Sequence, residues 1–309
     1  MNQVSCSIVD DIADEEELIS GIDKVFNYEN YRFKKVDCIL IKPNLCYYWD
    51  ASTGQTTSPK FVGALIEYIR DNTGNDPRII IGEADASAMR TKHAFKMLGY
   101  DTLASDKEVE LLNLSRQPIV EKNTSVRSKE IKLSFSKEIL EADIRINVPK
   151  LKYHRVPKVT CGMKNIFGAI AKRHKYSYHP KLTETIVAAN KIIRSDLILV
   201  DGLVALGNYP KIMKTILLGQ DVLTVDGICS KILGFDPRSV EHLKVAENEG
   251  LGKISNVKVV GDMELPDLIK LAPPASYWKQ KILWGIQLTM VDLYNKIVGD
   301  VVPPMLLKE

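Results

Sequence analysis

The chain has no C-x-x-C pair, and its five cysteines (Cys6, Cys38, Cys46, Cys161 and Cys229) are odd in number and widely spaced. That pattern excludes a disulfide framework, a four-cysteine zinc site and a ferredoxin-type cluster, so no iron–sulfur cluster is expected. Cys6, Cys38 and Cys229 fall within apolar runs, where each is expected to be a small buried hydrophobe. Long hydrophobic stretches are also lacking: the longest falls well short of the ~18–20 residues a bilayer span needs. The opening MNQVSCSIVDDIADEEEL is acidic, with no basic segment leading into an apolar one, so no signal peptide is expected. A reduced, cytoplasmic protein is the resulting expectation. Nucleic-acid signatures are missing too, with no aromatic RNP pair, zinc finger or basic recognition helix, which disfavours a nucleic-acid partner.

What is present is the composition of a globular protein. The 309 residues are 45% hydrophobic and 26% charged, with a formal charge of +3. Short apolar runs alternate with helical spacing. Strand candidates are 36–41, 78–82, 109–114, 143–148, 196–202, 215–219 and 257–261, and Ser128 to Phe135 alternates like an exposed strand of a local hairpin. Phe61, Leu65, Ile66 and Ile69 share one helix face, Ala88 to Leu98 reads as a helix, and another begins near Cys161. The fold expected is α/β: a mostly parallel, doubly wound sheet with helices on both faces. Residues 1–272 would form this domain, which could be divided into two lobes with the cleft near 150–181. Pro273 and Pro274 set off a tail, 273–309, in which Ser276 to Val298 reads as a C-terminal amphipathic helix. That helix would dock on the core, pair with a second copy or lie on a membrane surface.

In an α/β sheet, ligands bind outside the carboxyl ends of the strands. Polar segments follow several of these strands. Lys42 and Asn44 follow the first, and the loop after them ends in Thr57, Ser58 and Pro59, a helix start whose N–H groups could meet an anion. Gly82-Glu83-Ala84-Asp85 follows the next strand, and Asp85 is a candidate acid–base group. Asp201 ends another strand, and Asp221 reads as a helix cap.

The strongest local feature runs from Lys150 to Lys181. It holds seven lysines, two arginines and three histidines, with no Asp or Glu. A solvated face normally mixes signs, so a one-sign run after a strand end points to an anion site. Lys150, Lys152 and Lys164 suit phosphate or carboxylate, Asn165 could orient it, and His154 could exchange a proton with it. Gly162 and Gly168 would let backbone approach a ligand. His154 and His179 could alternatively hold a divalent metal, although no H-x-x-x-H pair fixes them.

The blocks IKPNL (41–45), TTSP (56–59), IGEAD (81–85), ADIRINVPKLKYH (142–154), VTCGMKNIFGAI (159–170), LILVDGLVALG (197–207), GQDVLTVDGICSKILG (219–234) and GLG (250–252) occur here in order. In them the chain resembles the family known as domain of unknown function 362, a resemblance that implies the α/β fold and no reaction. Some relatives carry added cysteine-rich iron–sulfur segments, which this chain does not have. The His154-x9-Lys164 stretch also looks like the one in lactate-racemase-type enzymes that holds a nickel pincer nucleotide through a lysine. By that likeness His179 would stand near a nickel-ligating position. The sequence departs from it at Gly82-Glu83-Ala84-Asp85, where those enzymes carry a turn with a catalytic histidine.

The leading expectation is a cytoplasmic enzyme acting on a small phosphorylated or carboxylated metabolite. Lys42, Asn44, Thr57, Ser58, Lys150, Lys152, Asn165 and Asp201 would contact the ligand, and His154, Asp85 and Lys164 would be catalytic. The alternatives are a nickel-pincer-type racemase or epimerase, and a non-catalytic ligand- or nucleic-acid-binding protein.

Overall fold

The computed structural model describes residues 3–271 apart from 88, 256, 269 and 270, together with 286, 289, 290 and 293. Its strands in chain order are β1 (Gln3–Ile8), β2 (Cys38–Pro43), β3 (Arg78–Glu83), β4 (Glu110–Asn113), β5 (Ile119–Val126), β6 (Lys129–Ser136), β7 (Ile144–Val148), β8 (Lys150–His154), β9 (Lys158–Thr160), β10 (Leu197–Leu206), β11 (Pro210–Gly219) and β12 (Lys258–Gly261). The helices are α1 (Glu15–Glu29), α2 (Pro59–Asn72), α3 (Thr91–Met97), α4 (Tyr100–Asp106), α5 (Lys137–Glu141), α6 (Gly162–Phe167), α7 (Leu182–Ile192), α8 (Val222–Ile232), α9 (Glu241–Asn248) and α10 (Leu265–Leu268).

The fold is mixed α/β, built on one large sheet in the order β12-β1-β11-β10-β7-β2-β3-β4. β2 runs parallel to β3 and β7, β3 to β4, β10 to β7 and β1 to β12, whereas β11 runs antiparallel to both its neighbours. The sheet is therefore mostly parallel. Successive side chains of a strand face opposite ways, and here both ways lead to apolar packing. Leu40 joins one core with α6, α7, α8 and α9, while Ile39 and Ile41 join another with α1 and α2. Burial on both sides is why the strand runs are continuously apolar rather than alternating. The expected hairpin is present as β5 and β6, which pair in register from Ile119–Ser136 to Val126–Lys129.

Several boundaries differ from those the sequence suggests. The run at 196–202 continues to Leu206 and returns as β11, so 197–219 is one long hairpin. β1 was not evident because Ser5 and Ser7 interrupt its apolar pattern; both are buried, and Ser7 Oγ donates to the Gly21 carbonyl of α1 at 2.7 Å. β8 and β9, an antiparallel pair inside the basic segment, were hidden by their lysines. Cys38 sits at the start of β2 and is only part-buried, unlike Cys6 and Cys229. The helix expected over 276–298 lies outside the described residues except for Ile286, Thr289, Met290 and Leu293. Among the described residues, no helix is long and apolar enough to cross a membrane.

Candidate functional site

After β2 the chain moves outward through β3 and β4, then returns to the other side of β2 as β7. A crevice opens where the carboxyl ends of such strands part. The pocket there is about 800 Å³. Its walls come from 42–49 after β2, from 83–89 after β3, from the β8–β9 hairpin, from α6, from Lys175, Tyr176 and His179, and from Leu206-Gly207-Asn208 at the tip of the β10–β11 hairpin.

Charge in this pocket is one-sided. Lys42, Lys152, Arg155, Lys164 and Lys175 line it, and Glu83 is the one carboxylate among its lining residues. Three of the four lysines are already engaged. Lys42 Nζ donates to Glu83 Oε2 at 2.7 Å and to the Pro43 carbonyl at 2.8 Å. Burial lowers its pKa, and the Glu83 carboxylate opposes that shift. Lys152 Nζ donates to the Gln55 carbonyl at 2.6 Å. Lys175 Nζ donates to the carbonyls of Gly168 at 2.6 Å and Asp85 at 2.7 Å. Burial brings Lys175 down to about 7, with Glu83 opposing and Lys42 and Lys164 adding to the shift.

Lys164 is different. Among the described residues its ammonium has no hydrogen-bond or ion-pair partner, and it sits 4.0 Å from the centre of the Phe167 ring. Burial first, then the Lys152 charge, lowers it to about 8. Burial and the same lysines hold His154 well below the usual imidazole range, and burial brings His179 to about 4. Both imidazoles are therefore neutral near pH 7. His154 Nδ1 accepts the Val156 N–H at 3.1 Å, so its proton resides on Nε2.

The floor is held by a chain of amides. Asn165 Nδ2 donates to the Lys42 carbonyl at 3.0 Å and to Asn147 Oδ1 at 2.8 Å, and Asn147 Nδ2 donates to the Gly162 carbonyl at 2.9 Å. Asn44 Nδ2 reaches Asn165 Oδ1 at 3.2 Å. α6 itself is anchored from α8: Asp226 accepts the Gly162 N–H at 2.7 Å and the Met163 N–H at 2.9 Å. Burial raises Asp226 to about 7. Among the described residues, three buried polar atoms of the lining have no partner: Asn44 Oδ1, Thr160 Oγ1 and His179 Nδ1. An unpaired buried polar group is costly, and a ligand in the pocket would satisfy such atoms.

The structure separates the residues singled out from sequence into two groups. Lys42, Asn44, Lys152, His154, Lys164, Asn165 and His179 line the pocket. Lys150, Asp201, Thr57, Ser58 and Asp85 do not. Lys150 Nζ is fully buried against Asp201 Oδ1 at 2.8 Å, and Asp201 Oδ2 accepts the Ser58 N–H at 2.9 Å. The anion at the start of α2 is thus one of the protein's own carboxylates. Thr57 Oγ1 bridges the Asn44 N–H and the Val148 carbonyl. Asp85 Oδ1 accepts the Thr91 N–H at 2.9 Å and the Asn113 amide at 3.0 Å, so its carboxylate holds α3 rather than facing the pocket. Gly162 is packed against the protein, since a Cβ there would fall 2.7 Å from Val222 Cγ2. Cys46, Gln55, Thr160 and Lys175 were not singled out as site residues. For Lys175 the acid-free run was a usable signal; the others have no local pattern that marks them.

A thylakoid-associated protein of Synechocystis is 26% identical over 231 residues, which is 71% of this chain and 70% of that one. Among solved structures, the lactate racemase apoprotein from Thermoanaerobacterium thermosaccharolyticum is 14% identical with a TM-score of 0.41, covering 75% of this chain and 57% of that chain. A protein of Thermotoga maritima is 12% identical with a TM-score of 0.40, covering 68% and 56%. The chain therefore spans less than two thirds of the length of either solved structure. The family model described as "Domain of unknown function (DUF362)" matches residues 39–231, and the chain belongs to that family.

Proposed function

We propose that the protein is a cytoplasmic enzyme acting on a small phosphorylated or carboxylated metabolite bound in the strand-end pocket. The observation that carries this reading is the charge balance: five basic side chains line the pocket against Glu83 alone, and Glu83 is already paired with Lys42. Excess positive charge within low-dielectric walls attracts an anion. The orphaned Thr160 Oγ1 and Asn44 Oδ1 supply neutral contacts that would fix its orientation.

Inorganic phosphate should raise the thermal midpoint of the protein. A hydrogen bond to a charged group contributes about 1.5–3 kcal/mol, so Lys164→Met should weaken the stabilisation by at least tenfold in phosphate concentration, that is, by about 1.4 kcal/mol. Lys152→Met combined with Lys164→Met should abolish it. An unchanged phosphate response in the double variant would sink the reading.

A metal-dependent racemase or epimerase is supported less well. The His179 Nδ1 atom without a partner favours it. Two imidazoles alone do not fix a metal ion, and among the described residues no group of three His, Cys, Asp or Glu side chains converges to hold one.

A further inference from the structure

Resting on the anion-binding reading above, we propose that Lys164 is a covalent catalytic residue whose ε-amine condenses with the carbonyl of a small 2-oxo acid. The placement of the pocket lysines argues for it. Lys42, Lys152 and Lys175 are each tied to a carboxylate or to backbone carbonyls of other segments, which holds their amines in place and occupies them. Lys164 has only the face of Phe167 beneath it. Its amine is the one pocket lysine free to meet a ligand atom with no bond of its own to break first, among the described residues.

The surroundings suit a nucleophile. An ordinary lysine is almost wholly protonated at neutral pH, whereas one brought to about 8 leaves about one amine in ten unprotonated at pH 7. Desolvation next to other cations is a recognised way of activating an amine for imine chemistry. Lys152 offers charge for the substrate carboxylate, and that would bring the adjacent carbonyl to the amine.

The step balances without an oxidant or reductant. The Lys164 lone pair attacks the carbonyl carbon, a C–N bond forms, and the C=O π pair moves to oxygen, which takes up a proton from solvent. The nitrogen loses a proton, for which the neutral His179 imidazole is an acceptor. The hydroxyl takes a second proton, the one now held by His179, the C–O bond breaks, and oxygen leaves as water while the nitrogen lone pair closes the C=N bond. The protonated imine accepts electrons from the carbon next to it, so the reaction class served is loss of a proton, or of a carboxyl group, from C3 of the 2-oxo acid, with the electron pair moving into an enamine.

The test uses the full chain, pyruvate and sodium cyanoborohydride, which reduces an imine to a stable secondary amine. Peptide mass spectrometry locates the adduct, and thermal stabilisation by oxalate, an anion of similar shape with no ketone, is measured in parallel. The expected result is an adduct concentrated on Lys164, lost when excess oxalate is present. Lys164→Arg should lose the adduct yet keep its stabilisation by oxalate. Stabilisation by oxalate with no adduct, or with label spread over exposed lysines, overturns the imine proposal and leaves anion binding standing. Absence of both stabilisation and labelling overturns the two together.

Discussion

Among single side chains, Lys164 has the most informative environment. The charged and titratable groups around it come from several elements: Lys42, Cys46 and Glu83 from the β2 and β3 ends, Lys152 and His154 from β8, Lys175 and His179 from the segment before α7, and His242 from α9. The histidines are neutral at pH 7 and stay so above it, because His179 lies at about 4, His242 at about 3 and His154 well below its usual range. Lys164, at about 8, must carry its proton to attract an anion. The Lys164 contribution to the proposed binding is therefore fully present well below that value and is lost as pH rises through it. Sulfate stays a dianion throughout, so its affinity should fall by up to about tenfold per pH unit above 8 for a single required proton. Lys164→Arg should flatten that decline, since arginine keeps its charge. Any slope left near pH 7 in the variant belongs to Lys175. A wild-type profile that is flat from pH 7 to 10 would remove Lys164 from the binding role. Residue by residue, the site was half legible in the sequence. The basic run marked Lys152, His154 and Lys164, because absence of acid is a local pattern. Lys150 belongs to the same run yet meets Asp201 from another strand, and a partner that distant leaves no trace in local spacing.

At the scale of elements, the position of α6 decides where Lys164 and Asn165 stand. That helix has six residues, too few to hold itself together. Its first N–H groups are satisfied from outside by Asp226, which makes α8 part of the site's support although it contributes no lining residue. Asp226→Asn replaces one acceptor oxygen with a donor and leaves one of these buried N–H groups facing it. It should cost about 1–3 kcal/mol in urea unfolding and weaken sulfate binding as well. Lower stability with unchanged affinity would show that α6 is positioned by something else. The elements themselves were largely readable in advance, because strands buried on both faces leave continuous apolar runs such as those of β2, β3 and β10. The misses have a common cause. β1 and β8 carry serines or lysines whose polar ends are satisfied by other parts of the chain, so their residues do not look buried.

For the whole molecule, the central strand β2 joins two cores that lie on opposite sides of the sheet. Leu40 belongs to one and Ile41 to the other, and both are fully buried. Leu40→Ala and Ile41→Ala should each cost about 2–5 kcal/mol. If the two sides fold as one unit, each variant lowers a single shared urea midpoint, and loss of sulfate binding follows that same midpoint. A second transition in either variant would mean that the sides unfold separately. Charge is also distributed at this scale. The segment from Lys150 to Lys181 carries seven lysines and two arginines without an acid, so the remainder of the chain sums to 3 − 9 = −6.

The tethers on the pocket lysines have a further consequence for how relatives can diverge. Lys42, Lys152 and Lys175 are fixed by strand ends and main-chain carbonyls, so altering the floor disturbs the fold itself. Tyr47, Trp49 and Asn208 stand on the rim, where Tyr47 and Trp49 are exposed and belong to a surface loop. Substitutions there change the shape of the pocket mouth while leaving the lysine-lined floor intact. On the function proposed above, a lineage built on this architecture would exchange one metabolite for another by drifting at the mouth, with the floor beneath inherited unchanged.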